Sequence, residues 1–228
     1  MKKMNCVVIL ALLGMSSVMS AALFVEDFDS YADGSALHGQ GGWKGWSNDP
    51  AAGAPVSSTY ANSGTNSVAV VGTSDLVHEF DIAGGLVEFS VMQYIARGGT
   101  GESYFILLNA YDDAGVTDDW SVQIRYNLET GVITSDNGGG ATGSIVYDKW
   151  VELKFAIDLV NNTVNEYYNG SLISSHEWDD NFHGTLGAVD LFGNGASTVY
   201  YDDLTIVPEP MTLSLLSLGG LALLRKRQ

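Results

Sequence analysis

Between residues 23 and 207 apolar side chains recur at every second position and almost nowhere at every third or fourth. The clearest run is 150–159. Val151, Leu153, Phe155, Ile157 and Leu159 point one way, while Glu152, Lys154 and Asp158 point the other. Successive strand side chains point to opposite faces, so the pattern dictates a half-buried antiparallel strand. Val122, Ile124 and Tyr126 alternate with Gln123 and Arg125, and Val87, Phe89 and Val91 with Glu88 and Ser90. Residues 104–110 are apolar except for Asn109, the mark of a central strand covered on both faces. Turn residues separate these runs: Gly84-Gly85, Gly98-Gly99, 112–115, 129–131, Asn161-Asn162 and Asn169-Gly170. Asn169-Gly170 is the strongest hairpin pattern, because both residues tolerate the positive φ of a type I′ turn. Roughly ten short strands with little helix predict an all-β, antiparallel sandwich or jelly roll.

The two ends are different. Lys2 and Lys3 precede an apolar stretch at 6–15, and small residues follow at Ser20, Ala21 and Ala22. That layout predicts a secretory signal peptide over 1–22, with an N-terminal signal helix too short to span a membrane. The only cysteine, Cys6, precedes the apolar stretch, which argues against a lipoprotein signal. At the other end, Pro208, Glu209 and Pro210 lead into an uncharged run at 211–224, closed by Arg225, Lys226 and Arg227. The prolines break the preceding strand. The run predicts a C-terminal hydrophobic helix, and the basic residues should stay cytoplasmic. At about 1.5 Å per residue it falls short of a ~30 Å hydrocarbon core, so it suits transient membrane contact.

Pro-Glu-Pro, an apolar helix and a basic terminus resemble a PEP-CTERM sorting signal over 208–228. That resemblance implies an exported bacterial protein. Its partners would be the export machinery and an exosortase-like processing enzyme, and it would reside at the cell surface or in an exopolysaccharide matrix. The tail would be a removable address.

The intervening 23–207 segment is long enough for one domain with a substantial core and contains no cysteine. It holds 26 acidic against 5 basic residues, a formal charge of −21. Nucleic acid and anionic lipid both need Lys and Arg, so neither is an expected partner. The acids mostly provide a solvated surface, and some could ligate calcium.

Residues 150–178, WVELKFAIDLVNNTVNEYYNGSLISSHEW, give a Trp-led strand, a turn, a second strand, Asn-Gly and a third strand. This is similar to the central hairpins of concanavalin A-like lectin and laminin-G-like sandwiches. The opening at 24–43 and the closing VYYDDLTIV at 199–207 resemble exported domains carrying the same kind of tail. Some members of that fold are glycoside hydrolases, which need two carboxylates flanking the scissile bond. The nearest match to the laminarinase-type motif is Glu79-Phe80-Asp81, but Ala83 and Gly84 stand where its last Glu belongs. His38, His78, His176 and His183 form no motif. The expectation is a noncatalytic protein. A polysaccharide-cleaving enzyme of another motif and a purely structural envelope protein remain alternatives.

Two site expectations follow. Sugar rings stack on flat aromatic faces, and their hydroxyls need acids and amides. Trp43, Trp46, Trp120 and Trp178 lie near Asp119, Asp179 and Asp180, and suit a carbohydrate groove; Tyr94, Tyr104 and Tyr111 could line a sheet face. Against this, any one tryptophan of a sandwich more often packs its core. For calcium, Asp27 and Asp29 near the first strand could meet Asp202 on the last. Asp202 alternates in phase with Leu204 and Ile206, and a carboxylate on an apolar face needs a partner. Backbone N–H groups would serve equally well.

Overall fold

A computed structural model describes residues 21–179 and 182–209. Fifteen strands follow in chain order: β1 (Phe24–Glu26), β2 (Trp43–Gly45), β3 (Val56–Ser57), β4 (Ser67–Gly72), β5 (Asp75–Ile82), β6 (Leu86–Ile95), β7 (Glu102–Ala110), β8 (Asp119–Asn127), β9 (Val132–Ser135), β10 (Ala141–Ser144), β11 (Trp150–Asp158), β12 (Thr163–Tyr168), β13 (Ser171–His176), β14 (Leu186–Asn194) and β15 (Ala196–Pro208). They form two antiparallel sheets. The first runs β13-β12-β11-β6-β15-β4-β3, with β1 also on β15; the second runs β10-β9-β8-β7-β14-β5-β2. Among the described residues the only helical elements are two 3-10 turns, Trp46–Asn48 and Pro50–Ala52.

The inward faces meet in one core. Val151, Leu153, Phe155 and Ile157 of β11 are buried, while Glu152 is exposed and Lys154 and Asp158 are half-buried, as the alternation predicts. Phe105 of β7 stacks on Phe155 across the sandwich, with ring centres 5.1 Å apart and planes 5° from parallel. Phe89 meets both rings edge-on. Burying side chains of this size stabilises by roughly 1.5–3 kcal/mol each. With no cysteine within 21–209, this packing holds the sheets together without disulfides. The predicted β12–β13 hairpin forms at Asn169-Gly170, where φ is 49° and 75°. The 104–110 run is indeed central, with Phe105 and Leu107 inward and Tyr104, Ile106 and Leu108 outward.

The first and last strands pair, with Glu26 opposite Leu204. Strand β15 carries a bulge between Asp202 and Thr205, and Asp203 has φ 47°. The extra residue resets the alternation, so Asp202 is out of phase with Leu204 and Ile206, contrary to the sequence expectation. Strand β15 ends at Pro208, and the Glu209 amide donates to the Leu86 carbonyl. Pro210, Arg225, Lys226 and Arg227, and the expected helices at both ends, lie outside the described residues. Among the described residues no helix is long and apolar enough to cross a membrane.

Candidate functional site

The outer face of the second sheet carries aromatic rings where an ordinary outer face carries small polar groups. Each strand contributes outward residues by the period of two: Asp75, Val77 and Glu79 from β5, Ala188, Asp190 and Phe192 from β14, Tyr104, Ile106 and Leu108 from β7, and Gln123 and Arg125 from β8. Val77, Ile106, Leu108 and Ala188 form a second apolar cluster, separate from the core, against which Trp46, Tyr104, Tyr111 and Phe192 pack.

A depression of about 260 Å³ opens on this cluster. Trp46 and Trp120 stand together on it, with ring centres 6.1 Å apart and planes within 15°. Trp46 sits in a 3-10 turn fixed by Tyr111, whose hydroxyl accepts from the Ser47 amide (2.9 Å) and donates to Asp113 (3.1 Å). The Tyr111 ring meets Trp46 edge-on at 4.8 Å. Trp120 keeps 40% of its surface exposed. Its carbonyl accepts from the Asn137 amide group (2.9 Å), and the oxygen of that group accepts from Gln123 Nε2 (3.0 Å). The Trp46 ring is therefore held by Tyr111 and half-buried, and the Trp120 ring stacks on it and stays open to solvent.

Asp75 and Asp190 also line the depression, with Gln123, Tyr104 and Phe192. Asp190 is only 3% exposed. The two carboxyls hydrogen-bond to each other. Burial raises the pKa of both carboxyls, and the Asp75 charge raises that of Asp190 further, so the pair holds a proton more tightly than two free carboxyls would. Oδ1 of each remains buried without a hydrogen-bond partner. The nearby cations are already taken. Lys44 is held by Glu79 and Asp113, and Arg125 by Glu102 and Asp136.

The other predicted site residues lie elsewhere. Trp43 is 1% exposed and Trp178 is 2% exposed; both pack the core, contrary to the glycan expectation. Trp43 Nε1 donates to Glu26 Oε2 (3.1 Å), and Trp178 Nε1 donates to the Thr185 carbonyl (3.1 Å). Asp179 closes a turn by accepting from the amides of Phe182 and His183. Asp180 lies outside the described residues.

The calcium expectation is corrected as well. Among the described residues no three His, Cys, Asp or Glu side chains converge as metal ligands. Asp27 Oδ1 accepts from the Asp29 amide (3.1 Å). Asp29 accepts from the Thr65 and Asn66 amides (2.7 and 2.9 Å). Asp202 accepts from the amides of Asn62, Ser63 and Asp203 (2.7, 3.2 and 2.7 Å). The carboxylates hold the 62–66 loop through its N–H groups, the alternative open at the sequence level. Gly64 completes this clamp. Its φ is 54°, and a Cβ there would lie 1.5 Å from Asp29.

No protein-family model matches the chain, and no curated protein sequence matches it. Solved structures do. A sialidase aligns with TM-score 0.56 at 8% identity, over 85% of this chain and 19% of its own. The Trypanosoma rangeli sialidase, in complex with the inhibitor DANA, aligns with TM-score 0.54 at 13% identity, over 89% of this chain and 33% of its own. A carbohydrate-binding module from Bacillus subtilis aligns with TM-score 0.46 at 14% identity, over 73% of this chain and 95% of its own. The chain thus spans a fifth to a third of the sialidase chains it matches. At such low identity the likeness establishes the β-sandwich fold alone.

Asp75, Gln123, Asp190 and Phe192 escape a motif search. The visible mark was Asp190 in Leu-Gly-Ala-Val-Asp-Leu-Phe, a lone acid inside an apolar run. Such an acid must be paired or have a function.

Proposed function

We propose that this is an exported, noncatalytic carbohydrate-binding protein whose ligand lies on the outer face of the second sheet, against Trp46 and Trp120. The observation that carries the reading is the pair of near-parallel indole rings, Trp46 half-buried and Trp120 solvent-open, above a depression that also presents Asp75, Asp190 and Gln123. Flat aromatic faces pack the C–H surfaces of a sugar ring, and acids and amides take its hydroxyls. A volume of about 260 Å³ is below the roughly 300–1,000 Å³ of drug-sized pockets, so one sugar ring would seat while the rest of the chain runs over the surface.

The two-carboxylate glycosidases hold their catalytic carboxyl groups about 5 Å or more apart, with the glycosidic bond between them. Asp75 and Asp190 touch each other, and Glu79 is paired with Lys44. This supports binding without cleavage. The signal-like residues 1–22 and the sorting-like residues 208–228 support export and processing by an exosortase-like enzyme, with exopolysaccharide as the ligand pool.

The test is a glycan array probed with the purified protein and with Trp120→Ala. Selective binding that falls at least about tenfold in the variant, some 1.4 kcal/mol, is expected. Tyr94→Ala, on the outer face of the first sheet, should bind as the wild type does. Binding that survives Trp120→Ala but not Tyr94→Ala would move the site to the other sheet. No binding at all would refute the reading.

A further inference from the structure

We propose that the Asp75–Asp190 pair seats a cationic amino group of the ligand, so that the glycan taken on this face carries free amines, as a glucosamine oligomer does. The inference rests on the carbohydrate reading of the same face and narrows it to one substrate class.

Two features of the depression converge on a cation. The first is the acidic pair. A buried carboxyl normally finds N–H donors or a counter-ion. The other buried acids among the described residues each have one: Glu26 has an amide, a hydroxyl and an indole N–H, Asp202 has three amides, and Glu166 has His176 at 2.9 Å although its Oε2 lacks a partner. Asp190 has only another acid, and Oδ1 of both members is left without a partner. The second is the lining. Trp46, Trp120, Tyr104 and Phe192 surround the pair. Aromatic faces attract cations through their quadrupole, and rings grouped around an ammonium are a recurrent recognition device. Neutral hydroxyls would need donors and acceptors together, and Gln123 is the only amide lining this depression.

The charged groups facing the pair agree. Lys44 from β2 and Arg125 from β8 are each held between two carboxylates, Glu79 with Asp113 and Glu102 with Asp136. Tyr104 donates to Glu102, and burial with that acid raises its phenol, so it stays neutral. Neither cation nor phenol supplies charge to the pair. In the free protein the pair shares one proton, because two carboxyls in contact cannot both ionise. An incoming ammonium donates to the pair from the depression that Asp75 and Asp190 line, both carboxyls become carboxylates, and the shared proton leaves to solvent. Binding therefore releases one proton per seated amine.

The test is calorimetry on the purified protein, in two buffers of different ionisation enthalpy, at mildly acidic pH where the amines are charged. The ligands are tetramers of glucosamine, N-acetylglucosamine and β-linked glucose. The expected result is glucosamine tetramer at least about tenfold tighter than either neutral tetramer, with one proton released. Asp190→Asn should abolish the preference and the proton release. Glu129→Gln, the same charge change in the exposed turn after β8, should leave both intact. A glucosamine preference that persists in Asp190→Asn is nonspecific attraction to an acidic surface and overturns the assignment. Equal affinity for all three tetramers without proton release also overturns it but leaves the carbohydrate reading standing. Binding of none overturns both.

Discussion

Two clusters in this molecule are built from the same parts, a carboxylate beside a tryptophan and a tyrosine, and behave oppositely. Around Glu26 every polar atom is answered. Oε1 accepts from the Phe28 amide (2.9 Å), and Oε2 accepts from the Tyr31 hydroxyl (2.7 Å) and Trp43 Nε1 (3.1 Å). Trp43 is sealed in the core, and Tyr31 is pushed up to about 12, first by burial and then by the bond to Glu26. Around Asp190 the tyrosine and tryptophans point their polar edges elsewhere or into solvent. The carboxylate is left facing another acid. The difference teaches that a buried acid alone marks nothing. What distinguishes a site is an acid whose neighbours have spent their hydrogen bonds on each other.

The two clusters should differ most at their tryptophans. Trp43→Ala should cost about 3–5 kcal/mol, since it opens a cavity in the core and removes a donor from Glu26. Trp120→Ala should cost under about 1 kcal/mol and lose ligand binding. Urea midpoints of the two variants check this; equal losses would mean that Trp120 is structural. Next is Glu26→Ala, which orphans Tyr31 and Trp43 and should cost about 2–3 kcal/mol. Asp190→Asn should cost nothing near neutral pH, because it removes a buried acid with no counter-ion. Gly64→Ala should cost about 1–2 kcal/mol, because its positive φ and the adjacent Asp29 both oppose a side chain.

The smallest effect is on pH dependence. The folded-state values of Asp75 and Asp190 lie above the ordinary carboxylate range, so the folded protein holds more protons there than the unfolded chain. The contribution is complete below that range and is lost as pH rises through the raised values. Urea midpoints should therefore decline across this window, and Asp190→Asn should flatten the decline. Asp202, raised by burial to about 6 against its amide bonds, acts with the same sign, so some slope should remain. An unchanged slope in Asp190→Asn would place the proton uptake elsewhere.

The fold was legible because strand alternation is local. β6, β8 and β11 could be assigned face by face, and the turn residues marked the β7–β8, β8–β9, β11–β12 and β12–β13 hairpins but not β3–β4 or β9–β10. The site was only half legible. Trp43, Trp46, Trp120 and Trp178 have much the same polar neighbours in the chain, and only the pairing of β2 with β5 and the 3-10 turn after it send Trp43 inward and Trp46 outward. Asp202 misled because a bulge one residue later shifts the phase, and a bulge leaves little trace in composition. Asp190 was visible in its apolar run, but its partner Asp75 lies 115 residues away and meets it only through the register of β5 with β14.

If the paired indoles on the outer face of the second sheet hold a sugar, removing both should abolish binding without unfolding the protein. The tightest array ligand is titrated into the Trp46→Ala/Trp120→Ala double variant, with circular dichroism to confirm the fold. The expected result is a native spectrum with affinity lowered at least about a hundredfold, some 2.8 kcal/mol. A native spectrum with unchanged affinity would contradict it.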